Sequence, residues 1–128
     1  MADRILIIED DPDILESVSS LLSGSGYVLL TATGGRQGLE KAQKERPDLI
    51  LTDLMLPQMN GYEVCTMLKQ DVRYQRIPVI VWSATKLEDK DAQVAKECGA
   101  ELFLLKTLPP KQLLKTIQDL IATSRQSP

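Results

Sequence analysis

The stretch ILIIEDD, at residues 5–11, places four large apolar residues directly before three acidic ones. An apolar run of this length, without alternating polar residues, is typical of a strand that is covered on both faces. Glu9 and Asp10 follow at the point where such a strand would end. The stretch therefore predicts a buried strand of a parallel sheet that carries carboxylates at its carboxyl end.

Four more apolar runs alternate with longer amphipathic stretches along the chain. Asp11 and Pro12 predict the start of the first helix, because Asp is a favoured N-cap and Pro is favoured in the first turn. Gly24 or Gly26 would end that helix. The further strands are predicted at residues 27–30, 49–51, 79–82 and 102–105, and the further helices at residues 36–45, 61–70, 87–98 and around 113–121.

Five strands alternating with five helices predict one three-layer α/β domain, a (βα)5 unit with a mostly parallel sheet and right-handed crossovers. We expect a single domain over residues 1–128, with its core at about 4–123 and a short tail at 124–128. The side chains expected to face inward are Val64, Met67 and Leu68 in the third helix, Leu87, Val94, Ala95 and Cys98 in the fourth, and Leu113, Leu114, Ile117, Leu120 and Ile121 in the last.

The composition excludes several classes of protein. The net charge of −3 gives no basic surface for nucleic acid, and no apolar run approaches the roughly 20 residues of a membrane span. With no N-terminal signal segment, a cytoplasmic location is expected. The sequence contains no histidine, which removes the usual zinc sites and the histidine-based catalytic pairs. Cys65 and Cys98 are too far apart for a metal-binding pair, and both thiols should be reduced and partly buried.

Polar residues end four of the five predicted strands. Glu9 and Asp10 end the first, Asp53 the third, Ser83 the fourth and Lys106 the fifth. Ligands of open α/β sheets bind outside the carboxyl ends of the strands. The sequence therefore predicts three carboxylates, one hydroxyl and one ammonium at a single edge of the sheet.

This set of groups points to phosphoryl transfer. Three neighbouring carboxylates repel one another unless a cation lies among them, and oxygen ligands favour magnesium, manganese or calcium. Ser83 and Lys106 suit phosphate oxygens as a hydroxyl donor and a point charge. Positioning and charge neutralisation dominate catalysis of phosphoryl transfer, and an aspartate can itself accept the group as an acyl phosphate.

The motifs ILIIEDD, DLILTDLMLPQMNG, PVIVWSA and GAELFLLK together resemble the receiver domain of bacterial-type two-component response regulators. The resemblance extends from Arg4 to about Thr123. It implies a doubly wound, flavodoxin-like fold with strand order 2-1-3-4-5. It also implies Asp53 as the phosphoacceptor, and a Mg²⁺ ion (Mn²⁺ being the alternative) held by Glu9, Asp10, Asp53 and the backbone carbonyl of Met55.

The resemblance further implies that Ser83 is the switch hydroxyl, Lys106 the countercharge and Phe103 the switch aromatic, with Ala84 and Thr107 in the adjoining loops. Bland alternatives are a plain strand-end hydroxyl for Ser83, a snorkelling strand end for Lys106 and core packing for Phe103. Trp82 is expected to pack in the core, on the side of the sheet opposite to Ser83.

The chain departs from the family pattern at several positions. Glu9 stands where Asp is commoner, and Met55 and Thr85 hold positions that tune the lifetime of the phosphoryl group. Thr107 replaces the usual cis proline, and a non-proline cis bond costs about 2.5–4 kcal/mol. We therefore predict a trans bond and a reshaped loop. Pro109 and Pro110 would open the last helix, with Thr107 or Leu108 as its cap.

The resemblance favours a signalling switch that a histidine kinase or a histidine phosphotransfer protein phosphorylates. The charge added by phosphorylation would alter a surface made by the predicted fourth helix, the fifth strand and the last helix. Two copies of the chain could also form a homodimer through this surface. The 128 residues leave no room for an output domain, so contact with a downstream protein is expected. Alternatives are an aspartyl phosphatase, disfavoured by Met55 where a second acid is usual, a phosphate-insensitive binding module, and a receiver cut from a larger protein.

Overall fold

A five-stranded parallel sheet in the order β2-β1-β3-β4-β5 forms the centre of the domain. The computed structural model describes residues 2–84, 93–94 and 96–126. This order confirms the doubly wound topology that the family resemblance implied. The strands are β1 (Arg4–Ile8), β2 (Val28–Ala32), β3 (Leu49–Asp53), β4 (Val79–Ser83) and β5 (Leu102–Leu105).

Four helices complete the described elements: α1 (Pro12–Ser23), α2 (Gly35–Glu45), α3 (Gly61–Lys69) and α4 (Pro110–Gln126). The helix predicted at residues 87–98, and with it Leu87 and Ala95, lies mostly outside the described residues, as does Thr85. Within that stretch, residues 93–94 and 96–97 are helical. The tail predicted to begin at residue 124 was wrong at its start, because α4 continues through Gln126. No described helix combines the length and the apolar character needed to cross a membrane.

Two apolar cores lie on opposite faces of the sheet, and successive residues of β1 alternate between them. Ile5 and Ile7 contribute to the core on the side of α1 and α4, whereas Leu6 and Ile8 contribute to the core on the side of α2 and α3. All four side chains are fully buried. The prediction that this apolar run is covered on both faces is therefore confirmed.

The two edge strands are less covered than their apolar sequences predicted. Val28 in β2 is 47% exposed and Leu105 in β5 is 37% exposed, and the rest of β5 is only partly buried. A run of apolar residues does not reveal where its strand lies in the sheet. An edge strand has a neighbouring strand on one side only, so the expectation of full burial was wrong for β2 and β5.

The predicted helix starts are confirmed for α1 and in part for α4. Asp11 caps α1 by accepting hydrogen bonds from the backbone N–H groups of Asp13 and Ile14, and the helix ends before Gly24. Pro110 opens α4 as predicted. The cap is neither Thr107 nor Leu108, because the carbonyl of Pro109 accepts the first helical hydrogen bond, from Leu113 N at 3.0 Å.

The inward face of α3 also differs from the prediction. Val64 and Leu68 are buried as expected, but Met67 is 47% exposed and Cys65 is fully buried instead. The buried residues therefore lie at positions i, i+1 and i+4, which places the i+3 position at the edge of the apolar face. The face predicted for α4 is confirmed, since Leu113, Ile117 and Ile121 are buried and Leu114 and Leu120 pack against them.

The backbone after β5 agrees with the predicted trans bond. The described part of the chain contains no cis peptide bond, so the bond between Lys106 and Thr107 is trans. The chain turns there, and Leu108 N donates a hydrogen bond to Leu105 O at 3.1 Å. This turn leads directly into the proline pair that opens α4.

Candidate functional site

The polar residues that end the strands meet at one edge of the sheet, because the parallel register aligns the strand ends. Asp53 lies opposite Trp82 in the pairing of β3 with β4, and Ser83 lies opposite Leu105 in the pairing of β4 with β5. Glu9 is fully buried, and Asp53 and Ser83 are 6% and 3% exposed. Charged side chains are seldom buried this completely without partners.

Three carboxylates form the centre of this edge. One oxygen each from Glu9, Asp10 and Asp53 lies within 4.8 Å of the others. Asp10 is exposed while the other two are buried, so the cluster opens to solvent on the side of Asp10. Oxygen donors at this spacing suit a hard divalent cation such as Mg²⁺, which binds one or two carboxylates and completes its shell with water and phosphate oxygens.

Lys106 places its ammonium group against two of these carboxylates. Its Nζ lies 2.7 Å from Glu9 Oε1 and 3.3 Å from Asp53 Oδ1. The Lys106 side chain is only 12% exposed, and its backbone N–H donates to Ser83 O at 2.8 Å. Among the described residues, Lys106 alone is seen to pair with the three carboxylates, and it contacts two of them, so the site keeps an excess of negative charge that a cation could neutralise.

Burial and the neighbouring opposite charge shift the pKa values of Glu9 and Lys106 in opposite directions. Burial raises the pKa of the Glu9 carboxyl and the charge of Asp53 adds to it, although hydrogen bonds from Lys106 and from Asp11 N–H oppose the rise. For Lys106, burial disfavours the charged form, but the contacts with Glu9 and Asp53 outweigh it and raise the pKa. Lys106 therefore remains a fixed positive charge at neutral pH.

The loop after β3 is held close to Asp53. Met55 N donates to Asp53 Oδ1 at 3.3 Å, while the Met55 side chain is 72% exposed. Gly61 N donates to Leu54 O at 2.9 Å, and a Cβ atom on Gly61 would lie 2.5 Å from Asp53 O. Only glycine fits there without movement of the backbone, as expected of a residue that sets the turn into α3. A metal-binding role for the Met55 carbonyl stays a prediction.

The remaining predicted residues are Ala84, Thr107 and Phe103. Ala84 is exposed directly after Ser83, and Thr107 is exposed in the turn after Lys106. Phe103 is partly buried and packs against the core on the side of α2 and α3. It therefore lies on the face of the sheet opposite to Trp82.

The sequence analysis missed one neighbour of the site. Trp82 packs in the core of α1 and α4 as predicted, but its ring also lies beneath the ammonium of Lys106, 5.5 Å from Nζ to the ring centroid. A cation over an aromatic face is stabilised electrostatically. The parallel pairing of β4 with β5 brings the two residues together, and this neighbour could have been inferred once both strands were placed side by side.

Comparison with known proteins identifies the family. The sequence model of the response regulator receiver domain matches residues 5–118. The chain belongs to this family. Among solved structures, the receiver domain of a signal transduction histidine kinase from Syntrophus aciditrophicus is 31% identical, with a TM-score of 0.91 over 99% of this chain and 96% of that one. The strand order of this receiver domain agrees with such neighbours.

Curated relatives of this receiver domain differ in length. The DNA-binding response regulator MtrA of Mycolicibacterium smegmatis is 34% identical over 128 residues, which cover 100% of this chain and 54% of MtrA. The chain thus spans about half the length of the curated relatives that it matches first. Protein PilH of Pseudomonas aeruginosa is 34% identical over 119 residues, which cover 93% of this chain and 98% of PilH.

One solved neighbour bears on the acidic cluster. The receiver domain of sensor histidine kinase PA1611 from Pseudomonas aeruginosa was solved with a magnesium ion coordinated in its active-site cleft. It is 26% identical to this receiver domain, with a TM-score of 0.87 over 95% of this chain and 99% of that one. The acidic cluster described here could hold a metal ion.

Proposed function

We propose that this receiver domain is a phosphorylation-dependent switch that accepts a phosphoryl group on Asp53. The observation that carries the proposal is the position of Lys106, whose ammonium contacts Glu9 and Asp53, the two buried members of the acidic cluster. A largely buried lysine that pairs with two carboxylates does not serve packing alone. It supplies the positive charge that a transferred phosphoryl group requires.

We propose Mg²⁺ as the cofactor, with Mn²⁺ as the alternative. Glu9, Asp10 and Asp53 would hold the ion together with the backbone carbonyl of Met55. The bound ion supplies neutralisation of the phosphoryl oxygens and of the acidic cluster. The all-oxygen donor set supports this assignment, as does the magnesium ion in the similar PA1611 receiver.

Asp53, Lys106 and Ser83 would have different roles in the transfer of the phosphoryl group. A carboxylate oxygen of Asp53 attacks the phosphorus atom, and the phosphorus–nitrogen bond of a partner's phosphohistidine breaks as the imidazole keeps the electron pair. Lys106, already 3.3 Å from Asp53 Oδ1, needs little movement to contact a phosphoryl oxygen. Ser83, buried at the end of β4, would donate its hydroxyl to another.

The donor would be a histidine kinase or a histidine phosphotransfer protein, as membership of the family suggests. The added charge would draw Ser83 inward and alter a surface that includes β5 and α4. Leu105, exposed at the end of β5, lies on this surface directly before Lys106. We propose that its output is contact with a downstream protein or with a second copy of the chain.

Phosphorylation by a small donor tests this function directly. With Mg²⁺ and acetyl phosphate, intact-mass measurement should show one labile phosphoryl adduct, absent in Asp53→Asn and retained in the control Asp71→Asn. Asp71 is suited as a control because it pairs with Arg73 away from the cluster. An unmodified parent protein would contradict the proposal and favour a binding module. Continuous release of phosphate from unrelated esters would instead indicate a phosphatase.

A further inference from the structure

The two cysteines, which are far apart in sequence, meet in the core between α3 and the turn that precedes β5. Cys65 is fully buried on the inner face of α3, and Cys98 is 4% exposed. Both are free cysteines, separated by 33 positions in the chain. The function proposed above uses neither of them.

A hydrogen bond from the Cys65 thiol to the backbone of Cys98 joins the two cysteines. Cys65 Sγ lies 3.3 Å from the carbonyl oxygen of Cys98, and the two thiols share a hydrogen bond. Gly99 follows with a φ of +86°, a conformation that favours glycine, and the N–H of Ala100 donates to the Cys98 sulfur. The local fold therefore surrounds one sulfur with donors and places the second thiol beside it.

The shared hydrogen bond makes the two thiols chemically different. Donation from Cys65 lowers the pKa of Cys98 to about 6, with help from the N–H of Ala100 and against the effect of burial. The same hydrogen bond, together with burial, raises the pKa of Cys65. Cys98 is therefore the thiol of the pair that loses its proton more readily, and the thiolate is the nucleophilic form of cysteine.

We propose that Cys65 and Cys98 form a redox modification site, which a hydroperoxide converts into an intramolecular disulfide. In the first step the Cys98 sulfur attacks the terminal peroxide oxygen. A sulfur–oxygen bond forms, the oxygen–oxygen bond breaks, and the peroxide is reduced to an alcohol or water as the sulfur becomes a sulfenic acid. Cys65 then attacks the Cys98 sulfur, and hydroxide leaves with the thiol proton as water.

The resulting bond would connect two elements that reach the functional edge of the sheet. The first residue of α3, Gly61, packs against the carbonyl of Asp53, and β5 ends directly before Lys106. A disulfide between α3 and the turn before β5 would limit movement between them. The proposal does not depend on phosphorylation of Asp53.

Oxidation of the whole chain by graded hydrogen peroxide tests the site. After unfolding and alkylation, the expected product is a monomer lighter by two hydrogen atoms that takes up no alkyl group, and dithiothreitol should restore both alkylation sites. Tryptic mapping should show the peptides of Cys65 and Cys98 joined. Full alkylation of both cysteines after peroxide treatment, or disulfides only between chains, would overturn the proposal.

Two variants separate the roles of the cysteines. Cys65→Ala should stop at the Cys98 sulfenic acid, which gains one oxygen and is trapped by dimedone. Cys98→Ala should leave Cys65 unmodified at the same peroxide dose. Because either change could disturb the core, circular dichroism checks that each variant is folded. The tryptic mapping of the unaltered protein decides whether the disulfide forms. A sulfinic or sulfonic Cys98 beside an unreacted Cys65 in that protein would contradict the second step.

Discussion

At the scale of single residues, the contact between Lys106 and Glu9 explains how a lysine can follow an apolar strand. The ammonium pairs with a fully buried carboxylate and lies against the face of Trp82, so its charge is compensated on two sides. The sequence predicted Lys106 as a countercharge for the phosphoryl group. It could not show that Glu9 holds the ammonium, because that contact depends on rotamers and on the depth of the site.

Lys106→Ala is expected to bind Mg²⁺ but to lose the phosphoryl adduct or the conformational response to it. The change removes the ammonium of Lys106 from Asp53 and leaves the three carboxylates in place. Titration with Mg²⁺ followed by intact-mass analysis with acetyl phosphate measures both properties. Lys115→Ala, which removes an exposed lysine of α4, is the control. Normal phosphorylation and normal signalling by Lys106→Ala would contradict the assigned role.

A second residue-scale prediction concerns Asp71. Hydrogen bonds from Arg73 lower the pKa of Asp71 from 3.8 to about 2. Arg73→Gln should therefore raise the Asp71 pKa towards 3.8, as measured by NMR titration of its carboxyl carbon, while Arg76→Gln should leave it unchanged. Because the folded pKa is depressed, the stabilisation is present above the unfolded pKa and is lost as the pH falls towards about 2. An Asp71 pKa that stays near 2 in Arg73→Gln would show that the pairing is not the cause.

At the scale of elements, the sequence predicted best where burial and local signals agree. β1, β3 and β4 are central strands, and their apolar runs matched their full burial. The errors fall where tertiary position decides: the exposure of β2 and β5 reflects the edges of the sheet, and Met67 lies beside the buried face of α3. The cap at Pro109 escaped prediction because a proline carbonyl can serve the helix without a polar side chain.

The junction between β3 and α3 yields an element-scale prediction. Gly61→Ala would place a Cβ atom 2.5 Å from Asp53 O, so the backbone beside Asp53 must shift. We expect a loss of about 1–3 kcal/mol in the free energy of unfolding, measured with urea, and a slower phosphorylation of Asp53. Gly34→Ala is the matched control, because nothing lies within 4 Å of its Cβ position and its φ of −150° suits any residue. Equal stability of the two variants would argue against tight packing at Gly61.

At the scale of the whole molecule, the carboxylates that suit the site for a cation also lower the stability of the fold. The chain has a net charge of −3, and three of its carboxylates converge at one edge of the sheet beside Lys106. The convergence of these groups could be predicted because the carboxyl ends of parallel strands share one edge, whereas the strand order came from the family resemblance. The balance between repulsion among the carboxylates and their attraction to Lys106 could not be predicted, because it depends on distances between side chains. Converging carboxylates repel, so the arrangement should cost stability until a cation binds.

Asp10→Asn is therefore expected to raise the melting temperature without Mg²⁺ and to abolish most of the rise that Mg²⁺ produces. Asp10 is the exposed member of the cluster, so its replacement removes repulsion without leaving a buried group unpaired. In the parent protein, Mg²⁺ at 100 times its Kd should add about 2.7 kcal/mol of stability. Calorimetry with and without Mg²⁺ measures both effects, and Asp13→Asn, an exposed acid in the first turn of α1, is the control. If Asp10→Asn and Asp13→Asn respond alike to Mg²⁺, the ion does not bind at the acidic cluster. If Asp10→Asn melts lower than the parent in the absence of Mg²⁺, repulsion among the three carboxylates does not limit the stability of the fold.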